Sequence, residues 1–184
     1  RLAKSLGLAP VKVNAVIIRG LNDHEIERLA GFAVDEDVIM RFIEFMPLDS
    51  RQVWRRDHVV SGAEITERIQ SKYPLIPLPA NSQSETSTRW SLGQGAAEVG
   101  IIAPVTQPFC GSCNRMRLTA DGKIRTCLFS HHEHDLKTCL RNGSGSDEDL
   151  AGRLQQLVLR KEPGHRISEP DFVQPARTMS LIGG

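Results

Sequence analysis

The sequence has no excess of charge of either sign: 23 Lys and Arg face 22 Asp and Glu, for a formal net charge of +1. With hydrophobic residues at 40% and charged residues at 24%, that balance argues against disorder and against a general nucleic-acid-binding surface. Any anion site must therefore be local. No apolar run approaches the roughly 20 residues needed to cross a bilayer, and no charged-then-apolar leader opens the chain. Internal repeats and coiled-coil heptads are absent as well. The expectation is a cytoplasmic globular protein that binds neither nucleic acid nor membrane.

What is present fits one good core, or one core with a small satellite domain, in 184 residues. The four cysteines, two of them only three positions apart, suit metal or redox chemistry better than a disulfide scaffold. The first residue is Arg1, and the stretch to Leu6 with Gly7 behind it reads as the tail of a helix closed by a glycine cap. That start is expected of a chain cut from something longer.

Val11 to Ile18 is β-branched and apolar with Lys12 and Asn14 on one parity, which predicts a strand buried on both sides. Asn22 and Asp23 offer N-cap oxygens to a helix through Ile26, Leu29 and Ala30, and Val38 to Phe45 reads as a second strand ended by Met46-Pro47. Strand, helix, strand implies a parallel βαβ unit. Ser61 and Glu64 form a capping-box pattern for a helix to about Lys72. The Pro- and Ser-rich segment from Pro74 to Ser87 predicts a loop and a domain boundary. Strands are expected at Thr88–Leu92, Glu98–Ala103, Arg115–Ala120 and Lys123–Leu128, and helices at Asp135–Arg141 and Asp147–Arg160.

The sharpest local signal is the spacing of Cys110, Cys113 and Cys127, C-x2-C-x13-C, across a loop and a hairpin that turns at Asp121-Gly122. Three soft sulfur ligands suit an Fe-S cluster or zinc. Three thiolates on a cube of four irons leave one iron open for a substrate, whereas His131 would complete a Cys3His zinc site in a binding module without enzymatic activity. Spacing does not separate the two. Cys139 reads as a small hydrophobe on a helix, and His132 and His134 as solvated residues at a helix start. Arg115 and Arg117 alternate on one strand, about 7 Å apart by strand rise, and suit a polyphosphate or ordinary solvated charge. A three-residue turn with a glycine bulge at Gly122 would set Arg115 opposite Cys127; a two-residue turn would put both arginines on the other face.

The segments KVN (12–14), RGLND (19–23), RFIEFMP (41–47), FCGSCNRMRLTADG (109–122) and the terminal Gly183-Gly184 resemble, in order along the chain, the GTP 3',8-cyclase family of radical S-adenosylmethionine (SAM) enzymes. The resemblance implies an α/β fold, in which the last part of an incomplete (β/α)6 radical SAM barrel precedes a small α+β domain with antiparallel strands. Residues 1–73 would be the barrel part, 74–87 a loop, and 88–184 the carboxyl-terminal domain. That domain would carry a 4Fe-4S cluster on Cys110, Cys113 and Cys127 and bind GTP.

Lys12, Arg115, Met116 and Arg117 match GTP-binding positions, Met46 matches a SAM-contacting position with Arg41 orienting that cofactor, and Gly183 and Gly184 match a catalytic diglycine tail. Arg41 equally suits a buried ion pair with Glu44. The implied reaction of molybdenum cofactor biosynthesis joins ribose C3' of GTP to C8 of guanine, giving (8S)-3',8-cyclo-7,8-dihydroguanosine 5'-triphosphate. No C-x3-C-x2-C motif occurs, so the first 4Fe-4S cluster, which cleaves SAM, is expected on a missing amino-terminal half. The fragment alone is expected to be inactive, and the complete enzyme to be a homodimer.

Overall fold

Alternation of small apolar and polar residues makes Lys12–Ile17 the first strand, β1, and the run Ile39–Glu44 the second, β2, in the computed structural model, which describes residues 1–48, 53–93, 97–141 and 146–182. Before them, α1 (Leu2–Ser5) ends at Gly7, whose φ of 75° is the left-handed conformation that favours glycine. The chain's contacts divide it into two compact units, residues 1–46 with 54–109 and residues 47–53 with 110–184.

In the first unit β1 and β2 pair in parallel, Val13 beside Met40 and Ile17 beside Glu44. The crossover between them is α2 (Ile26–Glu36), entered through a 3-10 turn at Asp23–Glu25. Asn22 and Asp23 do not cap this helix. Their carboxamide and carboxylate oxygens instead accept from the backbone N–H groups of Ile18 and Gly20, both at 2.8 Å, and so fix the turn that leaves β1. The helix α3 (Gly62–Gln70) starts as its sequence predicts, with the Ser61 hydroxyl accepting from Glu64 N at 3.1 Å. Ile26, Ala30 and Ala33 of α2 and Ile65 and Ile69 of α3 are buried in one core with Met40, Phe42 and Val99.

Three further strands complete the sheet: β3 (Leu75–Leu78), β4 (Thr88–Leu92) and β5 (Glu98–Ile102). The order is β1-β2-β5-β4-β3, with β1, β2 and β5 parallel and β4 and β3 antiparallel additions. The sheet therefore runs through the Pro- and Ser-rich segment 74–87. Its strand Leu75–Leu78 sits at the edge, where Pro77 is tolerated because one row of N–H groups needs no partner.

The expectation of a β1 strand buried on both sides is corrected. Lys12, Asn14 and Val16 are exposed while Ile17 is fully buried, since the helices packed in this unit's core cover only one face. The other face carries a row Asn14, Arg41, Gly100, Arg89 across four strands.

In the second unit the strands are shorter. A small antiparallel sheet joins β6 (Arg117–Leu118), β7 (Lys123–Arg125) and β8 (His134–Asp135), followed by α4 (Lys137–Arg141) and α5 (Asp147–Leu159). His134 thus lies in a strand, not at a helix start. The α5 start is a full capping box, in which Ser146 and Asp149 satisfy each other's backbone N–H groups. No described helix is long and apolar enough to cross a membrane.

Candidate functional site

The β6–β7 hairpin decides what faces the cysteines. Arg117 pairs with Arg125 and Leu118 with Ile124, Gly122 N–H donates to Thr119 O at 2.9 Å, and Gly122 has φ 83°. This is the three-residue loop with a left-handed glycine, and its register pairs Arg117 with the residue two before Cys127, the ladder itself ending at Arg117. The pairing that would have sent both arginines to the other face is not adopted.

Cys110 opens a 3-10 turn (Cys110–Ser112), and Cys113 N–H donates to Cys110 O at 3.0 Å, so the C-x2-C segment folds back on itself. All four cysteines are free thiols, each half-buried. Among the described residues no group of three His, Cys, Asp or Glu side chains is spaced to hold a metal ion. The chemistry of the donor set nevertheless fits a thiolate-ligated cluster, and Cys113 and Cys127 are electrostatically linked to their neighbours. Arg115 Nη2 donates to Cys113 Sγ at 3.3 Å. Burial works to raise the Cys113 thiol, yet the Arg115 backbone N–H and guanidinium, with Lys161 behind them, bring it below the usual thiol range. Burial pushes the Cys127 thiol up, against the Phe129 N–H, with Glu162 and Cys110 adding to the rise.

Burial also lowers the Arg117 guanidinium from its ordinary value, reinforced by the charges of Arg115 and Arg125 and opposed by Cys127 and Cys113. That residue therefore stands among two cations and two of the three sulfurs. Arg125 is 2% exposed and donates to Ser130 O, with Glu133 at 3.4 Å. It was not singled out in the sequence, although its place opposite Arg117 follows from the turn type.

A cavity of about 470 Å³ adjoins Cys127, lined among others by Phe129, His131, Glu162, Gly164 and Phe172. Phe129 stacks edge-on against His165 and Phe172 at 5.2 and 6.4 Å between centroids. His131 Nε2 contacts Val173 O at 3.0 Å, which leaves its Nδ1 free of that contact. Cys139 is half-buried on α4, a helix with no buried residue.

Lys12, Arg41 and Met46 belong to the first unit. Lys12 is exposed on the open face of β1, one strand from Arg41. The expected alternative pairing of Arg41 with Glu44 is not formed. Glu44, fully buried, accepts instead from the N–H groups of Gly62 (2.7 Å), Val105 (2.8 Å) and Thr106 (2.9 Å) and from the Thr106 hydroxyl. Three backbone donors around one carboxylate are a structural anchor at the start of α3. Residues 41 and 44 project from opposite faces of the strand, so the alternation itself separates them.

Arg41 Nε is buried and has no hydrogen-bond partner among the described residues. Its stem lies over Gly100, where a Cβ would come within 3.4 Å of Arg41 Cγ and 3.3 Å of Ser87. Gly183 and Gly184 lie outside the described residues.

Along its sequence the chain is 43% identical over 183 residues to a protein named GTP 3',8-cyclase from Streptomyces coelicolor, covering 99% of this chain and 53% of that protein. A protein of the same name from Paenarthrobacter nicotinovorans is 43% identical over 198 residues, 99% of this chain and 56% of its own length. The Rhodopirellula baltica protein of that name is 40% identical over 97% of this chain. The chain spans about half the length of these curated relatives. The family described as Molybdenum Cofactor Synthesis C matches residues 38–167, from β2 through the whole cysteine hairpin and α5. The chain belongs to that family.

Proposed function

We propose that the chain is the carboxyl-terminal portion of a GTP 3',8-cyclase, a cytoplasmic radical SAM enzyme of molybdenum cofactor biosynthesis. The observation that carries the reading is the hairpin register. It pairs Arg117 with Arg125, two residues before Cys127, and Arg117 stands within the electrostatic reach of both Cys113 and Cys127. Cations and soft sulfurs side by side suit a ligand with a polyphosphate at one end and a nitrogenous base that a metal can bind at the other. Similarity over 99% of the chain, at 43% identity, to proteins named for that substrate supports the same reading.

In this reading Cys110, Cys113 and Cys127 hold a 4Fe-4S cluster, which supplies an open iron for the guanine base when bound. The chain's own residues then do the positioning. Arg115 and Arg117 bind the phosphates with Met116 between them, and Lys12 adds a further cation. Arg41, whose Nε has no partner among the described residues, orients SAM, and Met46 contacts it. Gly183 and Gly184 reach the reacting centre. Positioning is the heart of the chemistry, because a radical derived from SAM takes the nearest hydrogen, here the one on ribose C3', before C3' joins C8. Cleavage of SAM is assigned to a first cluster on the remaining half of a longer polypeptide, which would be dimeric.

The test is GTP binding to the complete polypeptide reconstituted anaerobically. Arg117→Ala should weaken binding by roughly 10-fold or more, the scale of a lost charge-assisted contact. Unchanged affinity in both Arg117→Ala and Cys127→Ser would refute the assignment of the nucleotide to this hairpin.

A further inference from the structure

One short segment just beyond α5 makes contacts at or within two residues of each of the three cysteines. The Lys161 ammonium donates to the carbonyl oxygens of Arg115, at 2.9 Å, and of Thr126. Arg115 lies two residues past Cys113, and Thr126 directly precedes Cys127. The next residue, Glu162, accepts the Thr126 hydroxyl at 2.6 Å. At Gly164 a side chain would begin 3.3 Å from Cys110 Cβ and 3.6 Å from its sulfur.

We infer that Lys161 is a positioning residue for the three-thiol site, spanning the two cysteine-bearing segments through their carbonyls while Gly164 leaves room for Cys110. The inference rests on the cluster reading above. A lysine ammonium has three donors and no acceptor, so it can join two carbonyls whose dipoles would otherwise repel. The segments it joins are 35 and 46 residues from it in sequence, and neither is held to the other there by a strand ladder, since β6 begins only at Arg117. Without the ammonium, the Cys113 loop and the residue before Cys127 lose their common fastener. Residues that orient metal ligands from outside typically change metal affinity about 10- to 100-fold when removed.

The experiment uses the complete polypeptide, reconstituted anaerobically, with Lys161→Met against Lys72→Met as a control on a lysine of the first unit. Iron belonging to this site is counted as the difference between the parent and Cys127→Ser. The readout is the rate at which that iron passes to a chelator, alongside thermal unfolding of the apo chain. Lys161→Met should release the iron about 10-fold faster while apo unfolding stays with the parent, the split that a merely structural role would not give. Equal release rates would overturn the inference. If Lys161→Met does not fold, Gly164→Ala decides: it leaves every donor in place, crowds Cys110, and should also hasten release, whereas parental retention would count against the segment. If the parent and Cys127→Ser carry the same iron, the cluster reading itself fails and this inference falls with it.

Discussion

The two units are held together by different means. The first has a continuous apolar core, from Ile17 through Phe42 to Ala103, under a five-stranded sheet. In the second, the buried residues include Thr119, Arg125, Thr126 and Ser130 beside Ile124, Phe129 and Leu136, and its strands are two or three residues long. Ionic and hydrogen-bonded ties do there what side-chain packing does in the first unit. Asp121, for example, is gripped at the hairpin turn by Arg177 Nη1 and Nη2, at 3.0 and 2.8 Å, and Arg177 Nε reaches Glu133 at 2.9 Å. A scaffold built on burial tolerates the loss of a ligand. One built on polar fasteners around three thiols is expected to depend on what those thiols hold.

The largest effect should come from removing a thiol. In the complete polypeptide, Cys127→Ser is predicted to lower cyclisation of GTP by at least about 10²-fold, the scale reached when a substrate loses its position. Hydrogen exchange should quicken in residues 110–182 and stay unchanged in β1, β2 and α2. Equal quickening in both units would break the distinction between them. Phe42→Ala should do the reverse. It removes a fully buried ring from the first core and should cost about 3–5 kcal/mol of that unit's stability in denaturant.

Asp121 supplies a pH-dependent test. Hydrogen bonds from Arg177 and then from Thr119 hold its carboxyl well below the usual carboxylate range. A carboxyl depressed by folding contributes stability that is present above its unfolded pKa and lost as pH falls through the folded value. The tail at Arg177 should therefore stay on the hairpin through mildly acid solution and detach only in strong acid. Arg177→Ala should return the Asp121 titration, followed by NMR, toward the ordinary Asp value of about 3.9. An unchanged titration would show that the tail is not what holds it. The smallest effect belongs to a helix start in the first unit, where Ser61→Ala should cost about 1 kcal/mol by loss of the cap to Glu64 N.

Much of the first unit could be read from the chain because its signals are local and periodic. The order β1, α2, β2 follows from apolar spacing, and Thr88–Leu92 has the bounds expected of it. What escaped was set by distant neighbours. Leu75–Leu78 contains a proline and looks like a loop until β4 pairs with it, so composition placed a boundary at 74–87 inside a stretch that the sheet joins. Glu44 looks like a partner for Arg41 until the turn at Gly62 and the residues after β5 surround it.

In the second unit, Arg115, Arg117 and the three cysteines stood out by spacing, and Asp121-Gly122 marked the hairpin, but whether its loop had two or three residues was open. Lys161 and Gly164 carried no local signal, since what they touch lies 35 to 54 residues away in sequence.

The central claim, that three thiols on the hairpin hold a cube of iron with one corner free for a purine, is tested most directly by Mössbauer spectroscopy of the complete polypeptide reconstituted with ⁵⁷Fe, with and without GTP. The account predicts that Cys127→Ser removes one four-iron component, leaving that of the first cluster, and that one iron of the removed component changes its parameters on adding GTP. A spectrum that neither the serine substitution nor the nucleotide alters would contradict it.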